Sequence, residues 1–168
     1  RKIPIMFQVM KSSLVTQGRN LCVSGFLDSD CTHMLFIYSD IVFNYNTIEK
    51  MINYDKDVTM VPYPVKTFDN KKIRKAIMAG NKLDPQLLGN QYTISVDDPK
   101  NVQVEGGFIQ VNRGPTGCML IKREVFTKLK EEYPEFEIKQ KTLIDGALVD
   151  RTNLYNYFDT YCDKKTKT

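Results

Sequence analysis

At 168 residues the chain has room for one complete α/β domain and is short for two. Its 42% hydrophobic and 26% charged residues exclude a disordered or fibrous chain, and no apolar run approaches the roughly 20 residues of a membrane-spanning helix. Twenty-four Lys and Arg against 20 Asp and Glu leave only +4, so nucleic acid is not an expected partner.

Taken in chain order, residues 3–9 form a short β-prone run, and Ser12-Ser13 offer caps for a helix over 14–27 with Leu14, Leu21, Cys22 and Phe26 near helical spacing. Met34-Leu35-Phe36-Ile37 is continuously apolar, the pattern of a strand covered on both faces in a buried parallel sheet. Residues 47–54 predict a short helix with Asn46 as its cap, and residues 58–61 a second buried strand stopped by Pro62-Tyr63-Pro64. Residues 69–78 read as a helix with Ile73, Ile77 and Met78 on its apolar side. Residues 92–96 and 102–104 alternate like half-exposed strands, and 108–111 and 118–121 follow as further strands, split by a glycine-rich turn. Residues 123–132 close as an amphipathic helix, after which the pattern weakens into an aromatic stretch at Tyr155, Tyr157, Phe158 and Tyr161. No repeat or linker interrupts the chain, so it reads as one domain over 1–168: a Rossmann-like α/β sheet, mostly parallel, flanked by helices and with a small antiparallel extension.

The four cysteines, Cys22, Cys31, Cys118 and Cys162, form no metal-ligand spacing, and with the lone His33 they leave no zinc site. Their low density argues against a disulfide framework, and the expectation is reduced thiols in the cytoplasm. The tail from Lys164 reads as solvated.

In open α/β sheets ligands bind beyond the carboxyl ends of the strands. The strand 34–37 delivers Tyr38-Ser39-Asp40 there, where a carboxylate can hold a divalent cation and the cation a diphosphate, or Asp40 simply starts a turn. Magnesium and manganese suit such oxygen ligands.

A series of short motifs extends this reading. Residues 13–20 (Ser-Leu-Val-Thr-Gln-Gly-Arg-Asn), then 32–43 (Thr-His-Met-Leu-Phe-Ile-Tyr-Ser-Asp-Ile-Val-Phe), Tyr63-Pro64-Val65-Lys66 and residues 116–126 from Thr116-Gly117-Cys118 onward occur in that order. The series resembles the glycosyltransferases of the GT-A fold, family 2-like, and covers most of residues 13–130. In that family an Arg-Asn helix precedes a hydrophobic strand ending in an Asp-x-Asp motif. The resemblance implies a metal-dependent enzyme that moves a sugar from a nucleotide-sugar donor to a hydroxyl acceptor on a glycan or protein. It places Arg19, Asn20, Tyr38, Ser39, Lys66 and Gly117 at the donor nucleotide, with Asp40 as ligand of Mn2+ or Mg2+.

The sequence departs from the family at Tyr38, which stands where the first aspartate of the motif belongs. A phenol is a poor ligand for a hard cation at neutral pH, so metal affinity should fall. No Ser-Glu-Asp motif supplies the catalytic base of an inverting enzyme, and Asp145, Asp150, Asp159 and Asp163 do not align with it. The catalytic residue is therefore unassigned, and the family pattern implies a chain without the first nucleotide-binding strand and a C-terminal segment. Asp28-Ser29-Asp30 spells the motif at a helix end before the strand and reads as a solvated terminus.

Each role has a plainer counterpart. Arg19 suits phosphate oxygens or a helix-surface ion pair, Asn20 a neighbouring hydrogen bond or a turn cap, and Lys66 a diphosphate or only water. Gly106-Gly107 and the glycines at 114 and 117 suit close approach of a sugar or hairpin turns. Cys118 reads as a small core residue, and the late aromatics as acceptor-stacking or as packing. The alternative functions are a donor- or glycan-binding domain of the same fold without turnover, and a nucleotidyltransferase. Gln17-Gly18-Arg19 is a thin substitute for the glycine-rich basic loop of the last.

Overall fold

The computed structural model describes residues 3–144 and 146–160. In chain order the elements are α1 (Val15–Leu27), β1 (His33–Ile37), α2 (Tyr45–Tyr54), β2 (Val58–Met60), β3 (Pro64–Phe68), α3 (Asn70–Met78), α4 (Pro85–Gly89), β4 (Asn90–Tyr92), β5 (Val104–Glu105), β6 (Phe108–Ile109), β7 (Cys118–Lys122), α5 (Arg123–Glu132), a 3-10 turn (Pro134–Phe136), β8 (Lys141–Ile144) and β9 (Ala147–Asp150). They gather into two compact units, one combining the residues up to Met34 with those from Ile121 onward, the other running from Leu35 to Leu120.

In the first unit Val23, Phe26, Phe126 and Leu154 are buried. Phe126 takes the edges of two rings, Phe26 at 5.9 Å and Tyr157 at 5.1 Å between centroids, the T-shaped arrangement that aromatic quadrupoles favour. The last turn of α1 leaves carbonyls without helical partners. Arg123, the first residue of α5, donates to the carbonyls of Phe26 (2.9 Å), Leu27 (3.2 Å), Ser29 and Cys31 (2.7 Å), and its guanidinium lies 4.6 Å over the Phe26 ring. A guanidinium offers the five donors this fork requires, which no ammonium does.

Three strands pair in the order β1-β7-β2, and in the second unit Cys118, Met119 and Leu120 are buried. α2 starts where Asn44, not Asn46, accepts from the Asn46 N–H (3.0 Å), and it buries Met51. α3 starts at Asp69, whose carboxylate accepts from the N–H groups of Lys71 and Lys72, both at 3.0 Å.

The expected Rossmann-like sheet, mostly parallel and characteristic of the GT-A fold, is not what the chain forms. Every paired ribbon beyond the three-stranded sheet (β3-β4, β5-β6, β8-β9) is a two-stranded antiparallel one. The β1-β7 pair is itself bracketed by hydrogen bonds of opposite sequence sense: Tyr38 N–H to Gly117 O at one end and Arg123 N–H to Thr32 O at the other. Strands of five residues or fewer, joined by loops and short helices, offer no long parallel edge to extend. All of β1 is half-buried rather than covered on both faces, so its apolar run marks partial cover, not parallel pairing.

Other expectations shift locally. Residues 3–9 take no strand, because a short β-prone run becomes one only beside a partner. The second strand does stop before Pro62, at Met60; what the sequence did not show is that Pro64 opens a new strand, β3, at the position where a strand tolerates a missing N–H. Of residues 92–96 only Tyr92 lies in a strand, with Ser95 in an isolated bridge to Arg113. Gly106-Gly107, both at positive φ (58° and 86°), form the tight turn of the β5-β6 ribbon.

Candidate functional site

The second unit carries the strand-end cluster. Tyr38, Ser39 and Asp40 follow β1 directly, all exposed. The Tyr38 N–H donates to the Gly117 carbonyl at 2.8 Å, which fixes the chain two residues before Asp40. Lys66, in the middle of β3, places its Nζ 2.8 Å from Asp40 Oδ2. Both side chains stay open to water, 88% exposed for Lys66 and 55% for Asp40. The ammonium hydrogen bond, and then its charge, hold the Asp40 carboxyl below its ordinary value of 3.8 and raise the Lys66 ammonium above 10.5.

Behind this pair the chain is tight. A Cβ on Gly117 would stand 2.5 Å from Tyr63 Oη and 2.8 Å from both Tyr63 Cζ and Ile41 Cδ1. No side chain larger than hydrogen fits there without displacing those groups. Tyr63 and Ile41 thus join Tyr38, Asp40, Lys66 and Gly117. Tyr63 was legible as part of the Tyr-Pro motif; Ile41 carried no sequence signal for this role.

Arg19 and Asn20 lie in the first unit, both buried on α1. The Arg19 guanidinium sits 5.2 Å over the Phe158 ring. Asn20 donates through Nδ2 to Asn156 Oδ1 (2.9 Å) and Phe158 O (3.2 Å), and accepts at Oδ1 from the Phe158 N–H (2.9 Å). Asn156 in turn donates to Asp159 (2.7 Å). These three residues flank a cleft of about 230 Å3 whose apolar lining includes Leu21, Ile138 and Leu154. The partners of Asn20 lie 136 and 138 residues away, and nothing local in the sequence announces them.

The remaining candidates are structural in their contacts. Asp28 ends α1, and its Oδ1 accepts from Thr152 Oγ1 (3.3 Å) and Asn153 Nδ2 (3.0 Å). His33 Nδ1 lies 2.9 Å from Thr32 Oγ1. Cys118 is fully buried and burial raises its thiol pKa, so it is a core residue with little thiolate. Tyr157 packs on Phe126 and stacks on Tyr155 at 5.7 Å; burial, then the neighbouring Tyr155, push its phenol far up. Tyr161, Cys162, Asp163, Asp145 and the tail from Lys164 lie outside the described residues.

Among the described residues no three His, Cys, Asp or Glu side chains converge as a metal cage, and no helix is long and apolar enough to cross a membrane. One exposed carboxylate suits an ion such as Mg2+, which keeps waters and is commonly held by one or two carboxylates together with substrate phosphates. Comparison with known proteins finds no matching family model, no matching curated protein and no matching solved structure.

Proposed function

We propose that the chain transfers a sugar from a nucleotide-sugar donor to a hydroxyl acceptor on a glycan or protein. The observation that carries this reading is the Asp40–Lys66 pair at the end of a hydrophobic strand: a carboxylate and an ammonium 2.8 Å apart, both reachable from solvent. The ordered motifs over residues 13–130 support it independently.

Asp40 would hold Mn2+ or Mg2+, which supplies charge neutralisation to a diphosphate leaving group. Lys66 contributes a mobile point charge to the same oxygens. The bond from the anomeric carbon to the diphosphate oxygen breaks, the bond to the acceptor oxygen forms, and the acceptor proton passes to a base that no residue here is assigned. The donor would rest against Tyr38, Ser39 and the Gly117 backbone, which adjoin Asp40 in sequence or through the Tyr38–Gly117 hydrogen bond. The unpaired thiols Cys22, Cys31 and Cys118 support a reducing, cytoplasmic setting.

A second reading is favoured by Tyr38: with one carboxylate where the family has two, the same cluster binds donor without turning it over. Calorimetry with Mn2+ and a panel of nucleoside diphosphates, followed by product analysis with nucleotide sugars, separates the two. Transfer or donor hydrolysis that Asp40→Ala abolishes supports the enzyme; binding without turnover supports the second reading. Undiminished Mn2+-dependent binding in Asp40→Ala overturns both. Release of pyrophosphate in place of nucleoside diphosphate would instead mark a nucleotidyltransferase.

A further inference from the structure

One stretch of the chain carries positive charge with no negative charge within it. Between Asn70 and Lys82 stand Lys71, Lys72, Arg74, Lys75 and Lys82, five cations with no carboxylate among them, more than the net +4 of the whole chain. Among the described residues no ion pair draws on the four in α3. The helix is held at its start by the Asp69 cap and on one side by Ile73, which packs against Gly89 at the end of α4. None of its residues is buried.

The side turned away from Ile73 is unusual for a surface helix, which ordinarily directs its apolar residues inward. At helical spacing Met78 falls among Lys75, Arg74 and Lys71, the neighbours three, four and seven residues before it. It is 82% exposed, and Ile77, on the Ile73 side one turn further on, is still 51% exposed. The chain that follows adds Leu83 and Leu87, both about 60% exposed. Cations alternating with uncovered aliphatic side chains are the composition of helices that lie in the headgroup layer of a bilayer. Phosphodiester chains would meet the cations but leave Met78 without a counterpart, and α3 offers no aromatic ring for a base to stack on.

We infer that α3 docks the protein on an anionic lipid surface, its lysines and Arg74 meeting lipid phosphates and carboxylates while Met78, standing among them, enters the acyl boundary. The surface lies within the second unit and stands whether or not the transferase reading holds.

The test is co-sedimentation of the full chain with vesicles of phosphatidylcholine alone or with phosphatidylserine added, over a salt series. Binding should require phosphatidylserine and weaken as salt rises. Each of Lys71→Ala, Lys72→Ala and Lys75→Ala should weaken it about fivefold. Met78→Ala, which leaves the charge unchanged, should weaken it about tenfold through lost apolar insertion. All four positions are exposed, so circular dichroism should be unchanged, and the salt series on the unaltered protein reads the charge dependence without any variant. Equal binding to neutral vesicles, no binding near physiological salt, or full binding by Met78→Ala with equal retention on heparin or single-stranded RNA would each overturn the inference.

Discussion

The closest test of the strand-end geometry is Gly117→Ala. The added Cβ would meet Tyr63 Oη at 2.5 Å, and Tyr63 Cζ and Ile41 Cδ1 at 2.8 Å, about 1 Å inside ordinary carbon contact. Overfilling a packed site costs about 1–3 kcal/mol. Gly117 is not at positive φ, so the alanine is not strained by its own backbone and returns about 0.4–1 kcal/mol by restricting the unfolded chain. The net expectation is a loss of about 1 kcal/mol. Tyr63→Phe removes the nearest atom but leaves the ring carbon and Ile41, so in the alanine background it should restore about half of that loss. Urea denaturation of the four proteins of the double-mutant cycle measures the coupling directly. The same displacement reaches the Gly117 carbonyl that holds Tyr38, so nucleoside diphosphate binding, read by calorimetry, should weaken with stability and recover with it. An alanine variant as stable as the parent, or a cycle that is strictly additive, would refute the close contact.

Three further outcomes follow from the same structure. Because Lys66 lowers the Asp40 pKa and Asp40 raises that of Lys66, the pair's stabilising effect is present above the ordinary carboxyl pKa and is lost as pH falls through the depressed one; at the alkaline end it is lost as pH rises through the raised lysine pKa. Carboxyl-carbon NMR should show the Asp40 midpoint below 3.8 and its return toward that value in Lys66→Met. Arg123→Ala should destabilise the protein by about 3 kcal/mol, since charged hydrogen bonds to the carbonyls at the end of α1 and the ring contact with Phe26 go together; Arg123→Lys should recover less than half in urea denaturation, and full recovery would show that charge, not the planar fork, is what matters. Tyr38→Asp should tighten Mn2+ binding by calorimetry if Tyr38 occupies the first carboxylate position of the motif; no gain would count against that alignment.

The helices were the legible part of this chain. Residues 123–132 were expected and are α5, and the helix expected over 69–78 is α3, with Asp69 outside it as the cap; the five-residue α4 after Pro85 is too short to show a periodic pattern. Strand direction was not legible, because the apolar run 34–37 reports burial and says nothing about whether a neighbour runs parallel or antiparallel. Arg123 and Asn20 act through partners about a hundred residues away, which no local window contains. Asp40 and Lys66 were each readable as polar residues leaving apolar segments. Their pairing needed β3, a strand the two prolines concealed, to bring Lys66 alongside.

That pairing changes what the altered motif asks of a ligand. Two carboxylates at a strand end attract a divalent cation before any donor arrives; Asp40 beside Lys66 is electrically neutral and holds its own cation 2.8 Å away. A free metal ion must compete with the Lys66 ammonium, whereas a diphosphate brings charge that draws Lys66 away and adds oxygens of its own. In the proposed function the metal and the nucleotide therefore bind as a unit. Calorimetry with Mn2+ alone should show little heat, and Mn2+ added with a nucleoside diphosphate should bind far more tightly than the two measured separately. Lys66→Met separates the effects: it should improve binding of the metal alone while weakening binding of the nucleotide alone. If the parent protein binds Mn2+ equally well with and without nucleotide, Lys66 does not compete for Asp40, and the neutral pair is only a surface ion pair of small effect.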